Sequence, residues 1–254
     1  MFAPRQPKCK GRHRSTAGRS ALAAALVICV QIEALAFECA KEREPRIPPA
    51  PEAIINIDIL KKQLRDYHAG DYFSDIGLVL DEARKHIEQR VNQVKMPAVV
   101  LDIDETSLSN WANISANDFG FIKGGPCTEQ PNLACGFDEW ILKASAPALP
   151  PTLLFYNAIA KNVAVFFITG RRNSQRGATI WNLDVAGFHG WARLMTRPDD
   201  DTNRSIVPFK SGERAKIEAE GYRIIANIGD QKSDLAGDFA ECGFKLPNPF
   251  YFIK

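Results

Sequence analysis

The sequence predicts an α/β fold in which helices cover both faces of a parallel β-sheet. The first observation behind this prediction is that short apolar runs rich in β-branched residues recur along the chain, as in strands that are buried on both faces. The second is that stretches with helical apolar spacing separate those runs, an alternation typical of parallel sheets. The 254 residues are 45% hydrophobic and 24% charged, which suffices for one sizeable core.

Residues 1–36 are predicted to be a signal peptide. Six basic residues and no acid occupy the first 20 positions, and a short apolar run follows at 21–30. That run is shorter than the roughly 20 residues that a membrane-spanning helix needs. The Ala-Leu-Ala sequence at 34–36 indicates cleavage before Phe37 and delivery to the periplasm or the cell exterior. An organellar transit peptide and an uncleaved anchor remain as alternatives.

The overall charge depends on this leader. The chain has a formal net charge of +2, but six of its 32 basic residues and one of its 30 acidic residues lie in the first 36, so the rest carries −3. A weakly acidic mature chain is not expected to bind nucleic acid. Without the leader, we also expect no stable membrane insertion.

The mature chain is predicted to begin with an extended linker at 37–55, which is charged and rich in proline. We assign residues 56–254 to a single domain. Apolar residues recur at helical spacing over 56–68 and 74–94, so two helices are predicted to cover the core from outside.

The alternating part of the domain begins with a predicted strand at 98–101, the continuous apolar run Ala-Val-Val-Leu. Three helices and three further strands are predicted to follow in alternation. The helices lie at 152–160, 174–186 and 212–220, and the strands at 163–168, 191–195 and 222–228.

The segment at about 107–150 interrupts this alternation. A structureless loop of that length is uncommon inside a compact domain, so we predict a small cap over the sheet. Five aromatic residues stand in it among Gly, Pro and Asn. They are Trp111, Phe119, Phe121, Phe137 and Trp140.

The mature chain contains four cysteines, an even number that suits disulfides in an oxidising compartment. They are Cys39, Cys127, Cys135 and Cys242. The close pair Cys127 and Cys135 is the favoured disulfide, although four cysteines allow three pairings. Zinc is the weaker alternative, because no CxxC unit is present and His is scarce.

Polar side chains follow the predicted strands at the edge where parallel strands bind ligands. An isolated Asp-x-Asp pair is more often a turn or a helix cap than a catalytic pair. Four carboxylates at one edge, however, repel one another unless a cation lies among them or a proton is shared. Oxygen ligands without His or Cys favour Mg²⁺. The residues at this edge are Asp102, Asp104, Thr169, Lys210, Asp230 and Asp234.

In chain order, these residues resemble the four motifs of haloacid dehalogenase-like phosphatases, Asp102-x-Asp104-x-Thr106, Thr169, Lys210 and Gly229-Asp230-x-x-x-Asp234. The flanking segments are similar to the acid phosphatase subfamily IIIB, which groups bacterial class B and class C acid phosphatases with plant vegetative storage proteins. These segments are VVLDIDETSLSN, VFFITGRR, FKSGERAKIEAEGYRI, NIGDQKSDL and FKLPNPFYFI. The resemblance, from about residue 55 to the C-terminus, implies a Rossmann-like, haloacid dehalogenase-like sheet with a small cap after the first strand.

The resemblance also implies catalytic roles for two residues. Asp102 would attack phosphorus and form an aspartyl-phosphate, which divides one difficult displacement into two steps. Asp104 would protonate the leaving oxygen and later activate water, which requires a carboxyl group that holds a proton at the working pH.

The remaining motif residues are expected to hold the metal ion and the phosphate. The resemblance implies Mg²⁺ bound by Asp102, the backbone carbonyl of Asp104 and Asp230, with Asp234 holding the waters of the metal. Thr169 and Lys210 would donate to the phosphoryl oxygens, on which negative charge gathers in the transition state.

The implied activity is that of an acid phosphatase acting on small phosphomonoesters. The aromatic residues of the insert further suggest nucleoside monophosphates as substrates. Two alternatives share the phosphoryl site, a narrow-specificity 5′-nucleotidase or phosphotransferase and a catalytically weak secreted storage or binding protein. The presence of both Asp102 and Asp104 favours an enzyme over a storage protein.

Four further residues lie beside the motifs and are candidates for substrate contact. For each, a structural role as an ion pair or a packed aromatic is at least as well supported. They are Asn110, Trp111, Arg171 and Arg172.

Overall fold

A five-stranded parallel sheet organises the part of the chain that the structure, a computed structural model, describes, namely residues 39, 56–127 and 135–253. The strands are β1 (Pro97–Leu101), β2 (Ala164–Arg172), β3 (Arg193–Arg197), β4 (Arg223–Gly229) and β5 (Cys242–Lys245). They lie side by side in the order β3-β2-β1-β4-β5, and every pairing is parallel. The prediction of an α/β fold with a parallel sheet is therefore confirmed.

Helices follow or precede the strands in the alternation that the sequence predicts. They are α1 (Ile57–Ala69), α2 (Tyr72–Arg90), α3 (Trp111–Ala116), α4 (Phe137–Lys143), α5 (Pro150–Ile159), α6 (Arg176–Val185), α7 (Val207–Ala219) and α8 (Lys232–Leu235), with a single 3₁₀ turn at Asn173–Gln175. None of the helices in these described ranges combines the length and the apolar character needed to cross a membrane. The predicted signal peptide and the linker, Cys39 apart, lie outside the described residues.

The two faces of the sheet bury separate sets of side chains because successive residues of a strand point in opposite directions. On β1, Val99 and Leu101 join the larger hydrophobic cluster, which includes residues of α1, α2 and α5. Ala98 and Val100 join a smaller cluster that contains Ile217 of α7. Helices therefore cover both faces, and the two α-helices at the start of the domain belong to the larger core.

Several predicted element boundaries are wrong. Helix α2 ends at Arg90 rather than at 94, and strand β2 continues to Arg172 rather than ending at 168. The helix expected at 212–220 begins at Val207, with a proline in its first turn, where the fixed φ angle of proline suits a helix start. As a result, Lys210 lies inside α7. Strand β3 begins two residues later than expected, at Arg193, and the sequence analysis missed β5, whose four residues are too few to stand out as an apolar run.

The insert between β1 and α5 contains two short helices, α3 and α4. The side-chain amides of Asn113 and Asn117 both donate to the backbone carbonyl of Cys135, at 2.9 Å each. These bonds attach the segment before α4 to α3. Asn182 of α6 exchanges two hydrogen bonds with the backbone of Ala146, which joins the end of the insert to the sheet domain.

All four cysteines of the predicted mature chain form disulfides. Cys127 pairs with Cys135, which confirms the favoured bond, and Cys39 pairs with Cys242 at the start of β5. The zinc alternative is wrong, because each of the four sulfur atoms is already bonded to another.

Candidate active site

The end of β1 places Asp102 at the carboxyl edge of the sheet. The backbone N–H of Asp102 donates to the carbonyl of Ile228 at 2.9 Å, so pairing with β4 continues one residue beyond the strand. The chain then turns sharply, with Glu105 at a φ of 53° and the N–H groups of Ser107 and Leu108 both donating to the carbonyl of Ile103. The backbone bond to Ile228 holds Asp102 next to the end of β4.

Three carboxylates meet at this edge. Asp102, Asp230 and Asp234 each offer an oxygen atom within 4.8 Å of the other two, and all three side chains are buried. Because β1 and β4 are neighbours in the sheet, the turn after each strand delivers its acidic residues to the same place. The sequence prediction that the acidic residues following β1 and β4 converge is therefore correct for these three side chains.

Lys210 provides the positive charge next to this cluster. Its ammonium group lies 2.5 Å from Oδ1 of Asp102 and 2.6 Å from Oδ1 of Asp234. The side chain reaches the cluster from the first turns of α7 and is 4% exposed. A single ammonium group cannot neutralise three carboxylates, so ionisation of all three would leave an excess of negative charge.

The pKa values of these groups reflect burial and crowding. Burial raises the pKa of Asp102 well above its usual value, and the neighbouring Asp234 and Asp230 add to this effect although Lys210 opposes it. Burial and Asp234 raise the pKa of Asp230 to about 7. Burial lowers the pKa of Lys210, but the carboxylates of Asp102 and Asp234 outweigh it and hold that pKa above its usual value.

The loop after β4 is shaped around Asp234. A Cβ atom at Gly229 would stand 2.4 Å from the Cβ of Asp234, so only glycine fits there. Oδ2 of Asp234 accepts the backbone N–H of Gln231 at 2.9 Å, and Arg214 of α7 donates to the backbone carbonyl of Asp234 at the same distance. These contacts leave Oδ1 of Asp234 directed at Lys210.

Asp230 is held from several directions. The hydroxyl of Thr106 donates to Oδ1 at 3.2 Å, and the side-chain amides of Gln231 and Asn248 each donate to Oδ2 at 2.7 Å. Thr106 follows β1, whereas Asn248 follows β5. The carboxylate is therefore fixed by groups from both sides of β4.

The carboxylate of Asp104 is not part of the three-carboxylate cluster. Arg171 contacts it with Nη2 at 2.7 Å and with Nε at 3.1 and 3.2 Å from its two oxygens, and the side-chain amide of Asn110 donates to Oδ1 at 2.9 Å. Arg171, at the end of β2, is 3% exposed. The structure shows that Arg171 forms an ion pair with Asp104. This is one of the two roles that the sequence left open for Arg171.

Thr169 lies near the end of β2, beside the end of β1. Its hydroxyl oxygen accepts the backbone N–H of Arg171 at 3.1 Å, and the residue is fully buried. The hydroxyl keeps its own hydrogen for another acceptor. Its position at the carboxyl edge agrees with the sequence expectation, while the contact to phosphate stays a prediction.

Sequence reasoning overlooked Glu105 and Tyr251. Glu105 is 2% exposed, and its carboxylate accepts the backbone N–H of Asn110 at 2.5 Å and the hydroxyl of Tyr251 at 3.2 Å. Burial raises the pKa of Glu105 to about 8. Glu105 could have been found from its place between two motif residues, but nothing local connects Tyr251 to a residue 146 positions earlier.

The donor set fits a hard divalent cation. The cluster of Asp102, Asp230 and Asp234 offers carboxylate oxygens, and no His or Cys belongs to it. Mg²⁺ prefers such ligands. The raised pKa values of Asp102 and Asp230 show that these two groups are costly to ionise as they stand, and a cation bound between them would remove that cost.

Comparison with known proteins points to one family. The sequence profile of the HAD superfamily, subfamily IIIB (acid phosphatase), matches residues 31–254. The chain is 35% identical over 194 residues to acid phosphatase 1 of Solanum lycopersicum, which covers 75% of this chain and 73% of that protein. It is 36% identical over 191 residues to the stem 28 kDa glycoprotein of Glycine max, covering 74% of this chain and 72% of the relative.

Two further comparisons concern a storage protein and a solved structure. Vegetative storage protein 2 of Arabidopsis thaliana is 33% identical over 155 residues, or 61% of this chain and 56% of that protein. The structure of the class C acid phosphatase from Bacillus anthracis superposes with a TM-score of 0.58 at 22% identity, covering 76% of this chain and 86% of the other. At that identity the superposition supports the fold.

Proposed function

The chain belongs to the HAD superfamily, subfamily IIIB of acid phosphatases, and is a phosphomonoester hydrolase; from this premise we propose that it works through a phosphorylated Asp102 with the help of Mg²⁺. One observation carries the proposal. Three buried carboxylates from two neighbouring strand ends meet around the ammonium group of a buried lysine. Such a concentration of charge is costly for folding and is typical of a site that binds a cation and an anion together.

Asp102 is the proposed nucleophile. Its carboxylate oxygen would form a bond to phosphorus as the ester oxygen leaves on the opposite side, giving an aspartyl-phosphate. Water would then attack the same phosphorus, and the bond to Asp102 would break to release inorganic phosphate. Lys210 already contacts Oδ1 of Asp102, which keeps the carboxylate at the end of β1 in a defined orientation.

Asp104 is the proposed acid and base. It would give its proton to the leaving oxygen in the first step and take one from water in the second. Its carboxylate is separate from the three-carboxylate cluster and is held by Arg171 and Asn110. This separation suits two aspartates with different tasks only two residues apart.

Mg²⁺ would be held by Asp102, the backbone carbonyl of Asp104 and Asp230, with Asp234 binding its waters. When bound, the ion would supply positive charge that lets an anionic nucleophile approach an anionic ester. Thr169 and Lys210 would donate hydrogen bonds to the phosphoryl oxygens. The free hydrogen of the Thr169 hydroxyl and the buried ammonium group of Lys210 support these assignments.

The test is hydrolysis of a chromogenic phosphomonoester at about pH 5.5 by the mature protein, with and without EDTA. We expect EDTA to abolish turnover, added Mg²⁺ to restore it, and Asp102→Asn to lower kcat at least about a thousandfold. Asp81→Asn, which changes an exposed carboxylate on α2, is the matched control and should keep full activity.

Two outcomes would contradict the proposal. Turnover that survives both EDTA and Asp102→Asn would remove the mechanism. A mature protein without activity on any phosphomonoester, with or without Mg²⁺, would favour the storage alternative.

Acid quenching during turnover of a phosphate-labelled ester measures the intermediate directly. The label should remain on the wild-type chain and be absent from the Asp102→Asn chain.

Nucleoside monophosphates are the proposed substrate class. Of the five aromatic residues in the insert, Trp140 is buried, whereas Phe121 is 77% exposed and Trp111 is partly exposed next to Asn110. Exposed aromatic rings can stack on a nucleobase. A substrate panel in which glycerol phosphate is hydrolysed as efficiently as nucleoside monophosphates would remove this part of the proposal.

Secretion through a signal peptide at 1–36 is proposed as well. The two disulfides of the described residues form readily in an oxidising compartment, and three relatives from Glycine max carry the name glycoprotein. N-terminal sequencing of exported protein should start at Phe37. A chain that starts at Met1 would contradict the cleavage site.

A further inference from the structure

The side-chain amide of Asn110 is buried at the active site, and both its N–H groups and its oxygen form hydrogen bonds. Its Oδ1 accepts the indole N–H of Trp140 at 2.8 Å, and its Nδ2 donates to Oδ1 of Asp104 at 2.9 Å and to Oε2 of Glu105 at 3.0 Å. An indole N–H can only donate, so the atom facing Trp140 has to be the amide oxygen. Trp140 therefore sets the orientation in which the NH₂ group faces the two carboxylates.

The two oxygens of Asp104 receive very different numbers of donors. Oδ1 accepts from Asn110 at 2.9 Å and from Arg171 through Nη2 at 2.7 Å and Nε at 3.1 Å. Among the residues that the structure describes, Oδ2 receives only the longer contact from Nε of Arg171, at 3.2 Å. Because three N–H contacts from Asn110 and Arg171 converge on Oδ1 and one reaches Oδ2, a proton carried by Asp104 is better placed on Oδ2.

We propose that Asn110, oriented by Trp140, is a positioning residue that makes Oδ2 of Asp104 the oxygen that carries the catalytic proton. This inference rests on the proposed function. In the first step, the bond between phosphorus and the ester oxygen breaks, the proton on Oδ2 moves to that oxygen, and Asp104 becomes a carboxylate. In the second step, water bonds to phosphorus, its proton moves to Oδ2, and the bond between phosphorus and Asp102 breaks.

Local structure does not account for this use of the Asn110 side chain. Asn110 stands immediately before α3, where asparagine often caps a helix, yet its side chain makes no capping bond to α3. Instead, the backbone N–H of Asn110 donates a hydrogen bond to Oε1 of Glu105, and this bond stabilises the turn before α3. A variant at Asn110 keeps that backbone bond, so the amide can be removed while the turn is retained.

The experiment compares two esters that need the proton to different degrees. Glycerol phosphate releases an alkoxide, which requires protonation, whereas dinitrophenyl phosphate releases a stable phenolate, which does not. For Asn110→Ala we expect kcat/KM to fall about thirtyfold with glycerol phosphate and less than about threefold with dinitrophenyl phosphate. The quantity kcat/KM covers steps up to departure of the leaving group, so the later attack of water does not enter it.

Trp140→Phe is the second variant, because it removes the indole N–H and keeps an aromatic ring. We expect the same selectivity between the esters with a smaller loss, about fivefold with glycerol phosphate. Trp181→Phe, which changes a 62% exposed tryptophan on α6, is the matched control and should leave both values unchanged. Thermal unfolding of each variant measures folding separately, and if Asn110→Ala does not fold, Trp140→Phe decides the question.

The outcomes separate this inference from the function on which it rests. Equal losses with both esters, in variants that fold, overturn the positioning role while the phosphatase function stands. A wild-type protein that hydrolyses neither ester in the presence of Mg²⁺ overturns the proposed function and the inference together. Selective loss with glycerol phosphate in both variants supports the inference.

Discussion

Lys210 shows how closely the residues of this site depend on one another. Its ammonium group is buried between Asp102 and Asp234, so the loss of any one of these three side chains would leave a buried charge without its partner. The pKa values of Asp102 and Asp230 are nevertheless raised. At the level of single residues, ionisation of these two carboxyl groups is therefore unfavourable in the folded protein. Binding of a cation together with a phosphate ester would make it more favourable.

Gly229 allows a prediction about the loop after β4. In Gly229→Ala the new Cβ would overlap the Cβ of Asp234, so the loop has to move and the contact of Asp234 with Lys210 is disturbed. We expect a loss of about 2 kcal/mol in the free energy of unfolding, and a fall in kcat/KM of at least about tenfold. Urea unfolding and ester hydrolysis measure the two effects.

The matched control for this variant is Gly77→Ala in α2. A Cβ at Gly77 meets nothing within 4 Å, and alanine is favoured over glycine inside a helix by about 0.5–1 kcal/mol. Equal or higher stability with unchanged turnover is expected. If Gly229→Ala behaves in the same way as Gly77→Ala, the close packing around Asp234 is not required for the site.

At the scale of elements, the edge strand β5 is joined to its neighbours by charge. The carboxylate of Glu241, directly before β5, accepts from Arg90 of α2 at 2.7 and 2.8 Å and from Arg223 of β4 at 2.9 Å. The Glu241 side chain is 9% exposed. These bonds link three elements at one end of the sheet, far along the chain from one another.

The ion pairs of Glu241 with Arg90 and Arg223 predict a pH-dependent contribution to the free energy of unfolding. The bonds from Arg90, and then those from Arg223, lower the pKa of Glu241 below its usual value. A lowered pKa in the folded state stabilises the protein above the unfolded-state pKa of about 4.3, and this stabilisation is lost as the pH falls through the folded-state pKa. Glu241→Gln should therefore cost about 2 kcal/mol at neutral pH and progressively less below about pH 4.

Urea unfolding of both proteins at a series of pH values measures this difference. Glu220→Gln is the matched control, because Glu220 forms an ion pair with Arg193 in which both side chains are largely exposed. Its unfolding midpoint should change little at any pH. A Glu241→Gln cost that stays constant across the pH range would show that the loss comes from packing rather than from charge.

On the scale of the whole molecule, the two disulfides act over very different lengths of chain. Cys39 and Cys242 are 203 residues apart, whereas Cys127 and Cys135 are separated by 8. A crosslink restricts the unfolded chain more strongly when it closes a longer loop. The long-range disulfide also attaches Cys39 to β5, which is an edge strand of the sheet that the described residues form.

Removal of each disulfide should reflect this difference. The double variant Cys39→Ser with Cys242→Ser is expected to lose about 4 kcal/mol in the free energy of unfolding, and the variant Cys127→Ser with Cys135→Ser about 2 kcal/mol. Urea unfolding of the mature proteins without reductant measures both values. The opposite order of stabilities would contradict the loop-length argument, and peptide mapping that recovers other cysteine pairs would contradict the pairing itself.

The fold class and most of the acidic site could be predicted from the sequence. Continuous apolar runs predicted strands, and a parallel sheet brings the residues after its strands to one edge. Asp102, Asp230, Asp234 and Lys210 could therefore be expected together, although α7 begins earlier than its apolar spacing indicated. Local patterns suffice here because Asp102 and Asp230 directly follow strands with a strong apolar signal, while Asp234 and Lys210 lie only a few residues from predicted elements.

The tertiary structure alone decided the contacts between distant or irregular segments. Among these contacts are the disulfide between Cys39 and Cys242 and the hydrogen bond from Tyr251 to Glu105. The ion pair between Asp104 and Arg171 is another. No sequence period encodes such contacts, because they depend on side-chain direction and on where loops return in space. The orientation of the Asn110 amide by Trp140 belongs with them, since a hydrogen bond forms only once folding has brought donor and acceptor within reach.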